Sequence, residues 1–495
     1  MRYDGFVAGA YVSESSIADG EELINWYPEQ LESPAAPNHS ALYPTPGVNQ
    51  LSTLGTGVSG RAQFFDAGSG RLFGVIGTSF VEIDGAGNTT VQGTVAIDSR
   101  PATISSNGPG GGQIFVTSGD NGYIFTLSTN TFTQVRTGAT TQGDQLDGYF
   151  LALDAATGTM YCSNLLDGTT WDPTQFVQRS AQADPWIAMK VSPANRYIYL
   201  WGAQTAEVWY DAGTFPFPFA LHPSGPIPYG IAAAFSASVC DGTVAWLGSM
   251  KSGQGAVYTA SGLSATDVST FPLRYALSQY SILSDAIGDS YNDLGHLFYL
   301  LTFPTAEVTW AFDFNNPTPS WSKRGTWISE NNAYTYWRPC YHAFAFGEHR
   351  MLDLASGAIY QMSSTIGTDV DGRVIRRLRR APGLQFELQR IYYDAFELDL
   401  ETGLGNTVDP GSDPQVMLRM SNDGGKTWGN ELWRSAGKIG KYQTRVIWNR
   451  CGQARRRVFE VSVTDPIPWR IMNAYLVPRQ APGRASQLQR AQWEG

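Results

Sequence analysis

Short apolar and aromatic runs separated by glycine-containing or polar turns dominate this chain, and seven times between Leu72 and Tyr360 they follow one scheme. A first aliphatic or aromatic run is followed by a turn and a second run, which closes on an aromatic and often an Asp. The copies are LFGVIGTSFVEID from Leu72, IFVTSGDNGYIFTLS from Ile114, YFLALDAATGTMYCS from Tyr149, YIYLWGAQTAEVWYD from Tyr197, VAWLGSMKSGQGAVYTAS from Val244, LFYLLTFPTAEVTWAFD from Leu297 and AFAFGEHRMLDLASGAIYQM from Ala343. Their starts lie 42, 35, 48, 47, 53 and 46 residues apart, near the roughly 40–50 residues of one four-stranded propeller blade. An isolated hairpin cannot bury both faces, whereas sheets packed radially around an axis can, and the ring shields most of their edges. The pattern predicts an all-β chain with a six- or seven-bladed β-propeller over residues 50–365. A large two-sheet sandwich, which also needs regular hairpins, is the competing reading.

The flanks read differently. Residues 1–49 hold INWYPEQ at Ile24–Gln30 and ALYPTPG at Ala41–Gly47, extended proline-containing stretches expected to form an arm that contributes to a platform. Charge and periodicity change at DGRVIRRLRRAPG, Asp371–Gly383. From 371 to 477 the alternation in RIYYDAFELDL, QVMLRMS, TRVIWNR and RRVFEVSVTDP predicts a small β-sandwich-like platform domain. Residues 478–495, rich in Arg, Gln, Ala and Pro, are expected to be a tail that orders only against a neighbour.

Composition agrees with a turn-rich β protein: 53 Gly, 24 Tyr, 24 Phe and 15 Trp, with 16% charged residues. No apolar run approaches the length of a membrane span, and MRYDGF lacks the regions of a secretion signal, so synthesis in the cytoplasm without membrane insertion is expected. Cys162, Cys240, Cys340 and Cys451 form no CxxC pair, and His39, His222, His296, His342 and His349 form no HxH or HExxH spacing. No metal or other cofactor is expected, and the thiols are expected buried and reduced. The net charge of −10 divides into −17 over residues 1–370 and +7 over 371–495, so the two parts suit different partners.

Two local features carry chemistry. Ser421–Trp428, SNDGGKTW, matches the S-x-D-x-G-x-T-W turn called an Asp-box. Asp423 is placed to accept from turn amides, Gly425 to take positive φ, Ser421 and Thr427 to flank the turn, and Trp428 to cap the small core beneath it. The role is structural. Arg376, Arg377, Arg379 and Arg380 with Arg455, Arg456 and Arg457 are candidate contacts for DNA phosphates or for an acidic neighbouring subunit. The GPGGGQ run at Gly108 lacks the GK[ST] ending of a phosphate loop and reads as a turn between blades. No acidic pair stands out from turn positions such as Asp84 or Asp211, so no catalytic residue is assigned.

FELDLETGLG at Phe396–Gly405, the stretch from Leu418 to Pro466, and INWYPE with YPTPG near the start resemble the packaged-DNA stabilisation family of short-tailed bacteriophages. The resemblance implies a non-enzymatic virion protein: a homohexameric tail nozzle, or hub, beneath the portal and the head-to-tail adaptor ring. Its other implied partners are tailspikes or fibres, a tail needle or plug, and packaged double-stranded DNA passing without sequence readout. Two readings compete with it, a glycan-degrading, sialidase-like tail propeller and a glycan-binding adsorption module.

Overall fold

A computed structural model describes residues 1–480 apart from 16, 32, 34–37, 56, 180–183, 250–254, 317–319 and 388. The last fifteen positions of the expected tail, 481–495, lie outside the described residues, while 478–480 end a strand, Ile471–Gln480.

Seven antiparallel four-stranded units are present among the described residues. Blade 1 comprises Gly60–Asp66, Arg71–Ile76, Ser79–Ile83 and Thr89–Thr94. Blade 2 spans Thr103 to Arg136, blade 3 Gln142 to Gln178, blade 4 Ala188 to Leu221, blade 5 Ser238 to Asp267 and blade 6 Ile287 to Ile328. Blade 7 takes three strands from Pro339–Ala345, Glu348–Asp353 and Ala358–Ser363. Its outermost strand is Gly47–Thr53, which pairs antiparallel with Ala358–Ser363. The innermost strands touch in a closed circuit, from blade 1 round to blade 7 and back. The architecture is a seven-bladed propeller, so the competing two-sheet sandwich does not describe this region.

The first six copies of the sequence scheme are the second and third strands of blades 1–6, and the seventh begins one strand earlier, on the innermost strand of blade 7. These central strands are buried on both faces, which explains their unbroken apolar runs. The recurrent terminal Asp closes the turn that follows: Asp84 Oδ1 accepts from the Ala86 and Asn88 amides (2.9 and 2.8 Å), Asp211 Oδ1 from Gly213 (2.9 Å) and Asp313 Oδ1 from Asn315 (3.0 Å). GPGGGQ is not a turn between blades. It is a single helical turn inside blade 2, Gly108–Gly111, ended by Gly112 in the left-handed region at φ 62° before the strand Gln113–Ser118.

Beyond blade 6 the sheet does not stop. Its outer strand Trp321–Ile328 meets Gly20–Ile24 of the arm in a parallel bridge, Ile24 to Lys323. Next follow Arg377–Arg380, Val458–Val463, Gln415–Ser421 and Leu432–Ser435. A second sheet orders Trp26–Gln30, Ser40–Pro44, Ile471–Gln480, Ile391–Leu400 and Val446–Asn449. Between them lies one apolar core that includes Leu23, Trp26, Leu42, Phe396, Trp448, Phe459 and Leu476. The platform is therefore a two-sheet sandwich in which both sheets draw strands from both ends of the chain.

Candidate functional site

Where the arm, blade 6 and the platform join, the charged residues form an ordered array. Arg380 and Arg419 lie in register on either side of Glu460, and Glu22 is the register partner of Arg380 on the next strand. Glu460 is 1% exposed and accepts from Arg380 Nε and Arg419 Nε, each at 2.9 Å. Lys323 of blade 6 reaches Glu22 at 3.0 Å. Opposite charges thus alternate across the strands from Lys323 to Arg419, an arrangement that fixes register as well as balancing charge.

The arginine run on which sequence reasoning fixed is mostly turned inward. Arg379 is fully buried and donates to the carbonyls of Phe6 (2.7 Å), Gly5 (2.6 Å) and Gly9 (3.2 Å) and to the Glu21 carboxylate. Arg376 pairs with Glu431 at 3.1 Å and lies over the Trp327 ring at 4.4 Å. Arg377 is buried and gives Nη2 to the Thr45 carbonyl at 3.2 Å. Arg457 is buried between the Tyr393 and Phe459 rings, 5.0 and 5.4 Å from their centroids. For Arg377 and Arg379 the reason for this inward placement is the strand's position. Arg377–Arg380 is an interior strand of its sheet, flanked by neighbours on both edges, and the N-terminal residues cover its Arg379 side. Arg380 and Arg456 are half-buried and Arg455 is exposed.

The Asp-box folds as its residues dictate. Asp423 Oδ1 accepts from the amides of Lys426 (3.0 Å) and Thr427 (2.9 Å), its Oδ2 from the Thr427 hydroxyl (2.6 Å), and Ser421 Oγ from the Gly425 amide (2.8 Å). The hydroxyl of Thr427, then its amide and the hydroxyl of Ser421, hold the Asp423 carboxyl well below the usual range. Gly425 takes φ 92°. Trp428 does not cap a core: its half-buried ring lies beneath the guanidiniums of Arg380 (4.9 Å) and Arg419 (5.3 Å). The turn therefore buttresses the charge array.

The propeller axis holds a cavity of about 410 Å³ lined by the innermost strands. Its titratable side chains are Asp144, Lys190, Asp289, Tyr341 and His342, with no arginine among the lining residues. Both carboxylates are engaged in joining blades. Asp144 Oδ2 accepts from the Val191 amide and Asp289 Oδ2 from the His342 amide, each at 2.9 Å. Gln142 Oε1 accepts from Met189 N at 2.7 Å. Burial pushes Asp289 up to about 6 against the pull of the His342, Ser290 and Tyr341 amides, and pushes His342 down to about 3. Gln142, Asp144 and Asp289 latch neighbouring blades together.

The match to known families accounts for both parts of this architecture. A family model described as bacteriophage P22 Gp10, beta-propeller, matches residues 18–367. The chain belongs to the bacteriophage P22 Gp10 family. A second model, bacteriophage P22 Gp10, beta-sandwich, matches residues 376–476, so the two run in order along this Gp10-family chain, a structural tail protein. No curated protein matches it. Among solved structures, the Neurospora crassa Pan2 WD40 domain is 11% identical over 68% of this chain and 97% of its own, at a TM-score of 0.40. Kluyveromyces lactis Hsv2 (complete loop 6CD) is 10% identical over 46% of this chain, with a TM-score of 0.29, and the match spans 62% of the Hsv2 chain. Neither likeness carries an argument about function.

Sequence reasoning missed the residues of this Gp10-family chain that tie its parts together. Asn25, 3% exposed at φ 60°, donates from Nδ2 to the carbonyls of Gly325 and Arg376 (2.9 Å each) and accepts from Gly325 N (3.0 Å). His296 of blade 6 joins its own blade's Asp313 (2.7 Å) to Glu29 of the arm (3.3 Å). The only signal in sequence was their placement, an Asn inside an apolar run and a His after a Gly turn. Burial alone would lower the His296 pKa, but the hydrogen bonds and charges of Asp313 and then Glu29 outweigh it, and the net shift is upward. A folded pKa above the unfolded value of about 6.5 means that the bridge contributes fully below that pH and fades as pH rises through the folded value. His296→Gln is expected to cost about 1 kcal/mol at pH 5.5 and much less at pH 9. Urea melts at both pH values check this, and an equal loss at the two would contradict it.

Proposed function

We propose that this chain is the subunit of a homohexameric tail nozzle that sits below the portal and adaptor ring, seals packaged DNA and forms its exit channel. In this reading the nozzle also docks tailspikes or fibres and receives a needle or plug. The observation that carries it is the ordered match of both Gp10 family models to a propeller and a platform joined by one sheet that runs from blade 6 into the platform. Such a subunit suits a wall that must hold its shape under load. The axial cavity of about 410 Å³ is on the scale of a small-molecule pocket and cannot pass a duplex. The conduit is therefore assigned to the space between copies arranged around a common axis, closed by heterologous contacts.

Function is mechanical and steric in this reading. The propeller-bearing part, at −17, adds little attraction for phosphates, which favours sliding over sticking. Arg455 and Arg456 are the members of the basic clusters left to meet DNA or a neighbouring copy. Size-exclusion chromatography with purified adaptor, and negative-stain images of isolated tails carrying a tag on this chain, test the proposal together. Co-elution and six-fold tagged density are expected. Absence of both, or sustained release of reducing ends from host polysaccharide by the purified protein, would overturn it.

A further inference from the structure

One end of the platform gathers cations from three separate stretches of chain, 384–394, 422–428 and 450–457. The pairs Tyr392–Gln453 and Ile391–Ala454 run antiparallel, so the next positions outward are Arg390 and Arg455. A parallel bridge from Asp423 to Arg456 lays the Asp-box turn, with Lys426, beside them. The amide of Arg450 donates to the Asp394 carbonyl at 2.8 Å, which ties the turn bearing Arg450 to the same strand as Arg390. Arg390, Lys426, Arg450 and Arg455 are exposed and Arg456 is half-buried. None of the five has an ion pair among the described residues. Of the acids in these stretches, Asp423 is engaged in its own turn and Asp394 pairs with Arg479 at 3.3 Å, which leaves Glu387 to face the five cations. Like charges gathered in this way repel and cost stability unless an anion meets them.

We propose that this basic corner is the surface through which each copy of the chain grips the acidic propeller of the next copy in a ring. The inference rests on the nozzle reading and deepens it by naming the two faces that meet. Charge decides the sign of the partner. Residues 1–370 of every copy carry −17, and Asp84, Asp172, Asp241 and Glu307, on blades 1, 3, 5 and 6, are exposed without an ion pair among the described residues. The surroundings decide between protein and DNA. Exposed Phe386 and half-buried Leu384 border the cations, and Arg479 lies over the Tyr392 ring at 5.5 Å. Aromatic and apolar groups set among arginines are the make-up of a protein interface, whereas a phosphate backbone is met by cations and polar donors. The corner is on the platform and the acids are on the blades, so the contact joins unlike faces and repeats around an axis until the ring closes.

Mass photometry of the full chain with purified adaptor, counting copies per adaptor ring, tests the contact. A triple variant, Arg450→Gln with Arg455→Gln and Arg456→Gln, is expected to bind adaptor one copy at a time and to need at least tenfold more protein than the native chain to fill the ring. Lys at the same three positions should lose little, because the contact uses charge rather than the fork of the guanidinium. For the native chain, raising salt from about 0.05 M to about 0.5 M should lower the ratio of filled to singly occupied rings at least tenfold. Three results would overturn the inference and leave the nozzle reading standing: ring filling indifferent to salt or to the triple variant, a folded variant that no longer binds adaptor even singly, or a variant that fills the ring normally but loses affinity for a short DNA duplex. The last would assign the corner to DNA. A native chain that never fills a ring would bring down both. The salt series needs no variant, so it decides the matter even if the triple variant does not fold.

Discussion

Replacing Arg379 by Met is expected to release the N-terminal arm from the platform. The guanidinium is wholly buried and serves four acceptors at once: the Glu21 carboxylate and the carbonyls of Gly5, Phe6 and Gly9. Removing it leaves a carboxylate in a place where burial already raises its pKa, with Arg379 no longer opposing that rise. Breaking one side of such a buried pair costs about 3–5 kcal/mol. Hydrogen exchange resolves the effect by segment. Amides of Gly20–Ile24 and of Arg377–Arg380 should lose protection by roughly a hundredfold or more, while those of blades 2–4 stay as they are. Pairing the change with Glu21→Leu should restore part of the loss, because the stranded charge is gone, but not all, because three carbonyls still lack a donor. A single variant that loses less than about 1 kcal/mol would show that the pair is dispensable.

The second large effect is expected at Asn25. Its side chain binds blade 6 through Gly325 in both directions and the platform through the Arg376 carbonyl, while its backbone carbonyl accepts from Thr45 Oγ1 at 3.2 Å. Asn25→Ala strands the Gly325 amide and the Gly325 and Arg376 carbonyls in the interior and also places alanine at φ 60°, a conformation that costs a non-glycine residue about 1–2 kcal/mol. Together the loss should be about 4 kcal/mol. Asn25→Gly removes the same side-chain bonds without the backbone strain, so it should be milder by about 1 kcal/mol. Chemical denaturation of the two variants side by side separates the contributions. If Gly proves as harmful as Ala, conformation has no share in the effect.

How far the sequence disclosed this molecule depends on the distance between partners. The Asp-box was legible because Ser421, Asp423, Gly425 and Thr427 satisfy one another within seven residues. The blades were legible because central strands buried on both faces repeat with the period of their unit. The strand that completes blade 7 was not, because Gly47–Thr53 pairs with residues some three hundred positions away, and nothing local marks it. The inward placement of Arg376, Arg377, Arg379 and Arg457 was illegible for a related reason. A run of like charges reads as a solvated surface, and only the arrival of Glu21, Glu460 and the first ten residues from elsewhere in the chain makes its interior position tolerable. Trp428 was placed at the turn, but of the two cations above it Arg380 comes from a strand distant in sequence.

The pairing of Gly47–Thr53 with Ala358–Ser363, and of Ser40–Pro44 with Ile471–Gln480, also sets a timetable at the ribosome. Both early strands leave the exit tunnel long before their mates exist. At about 5–20 residues per second, the first must wait on the order of 15–60 s and the second on the order of 20–90 s. During that interval the newborn chain presents unpaired edges beside half-finished neighbours on the same messenger, the circumstance in which strands find the wrong mate. Slowing translation upstream of Pro339 should therefore lower the yield of native protein more than the same delay imposed after Gln480.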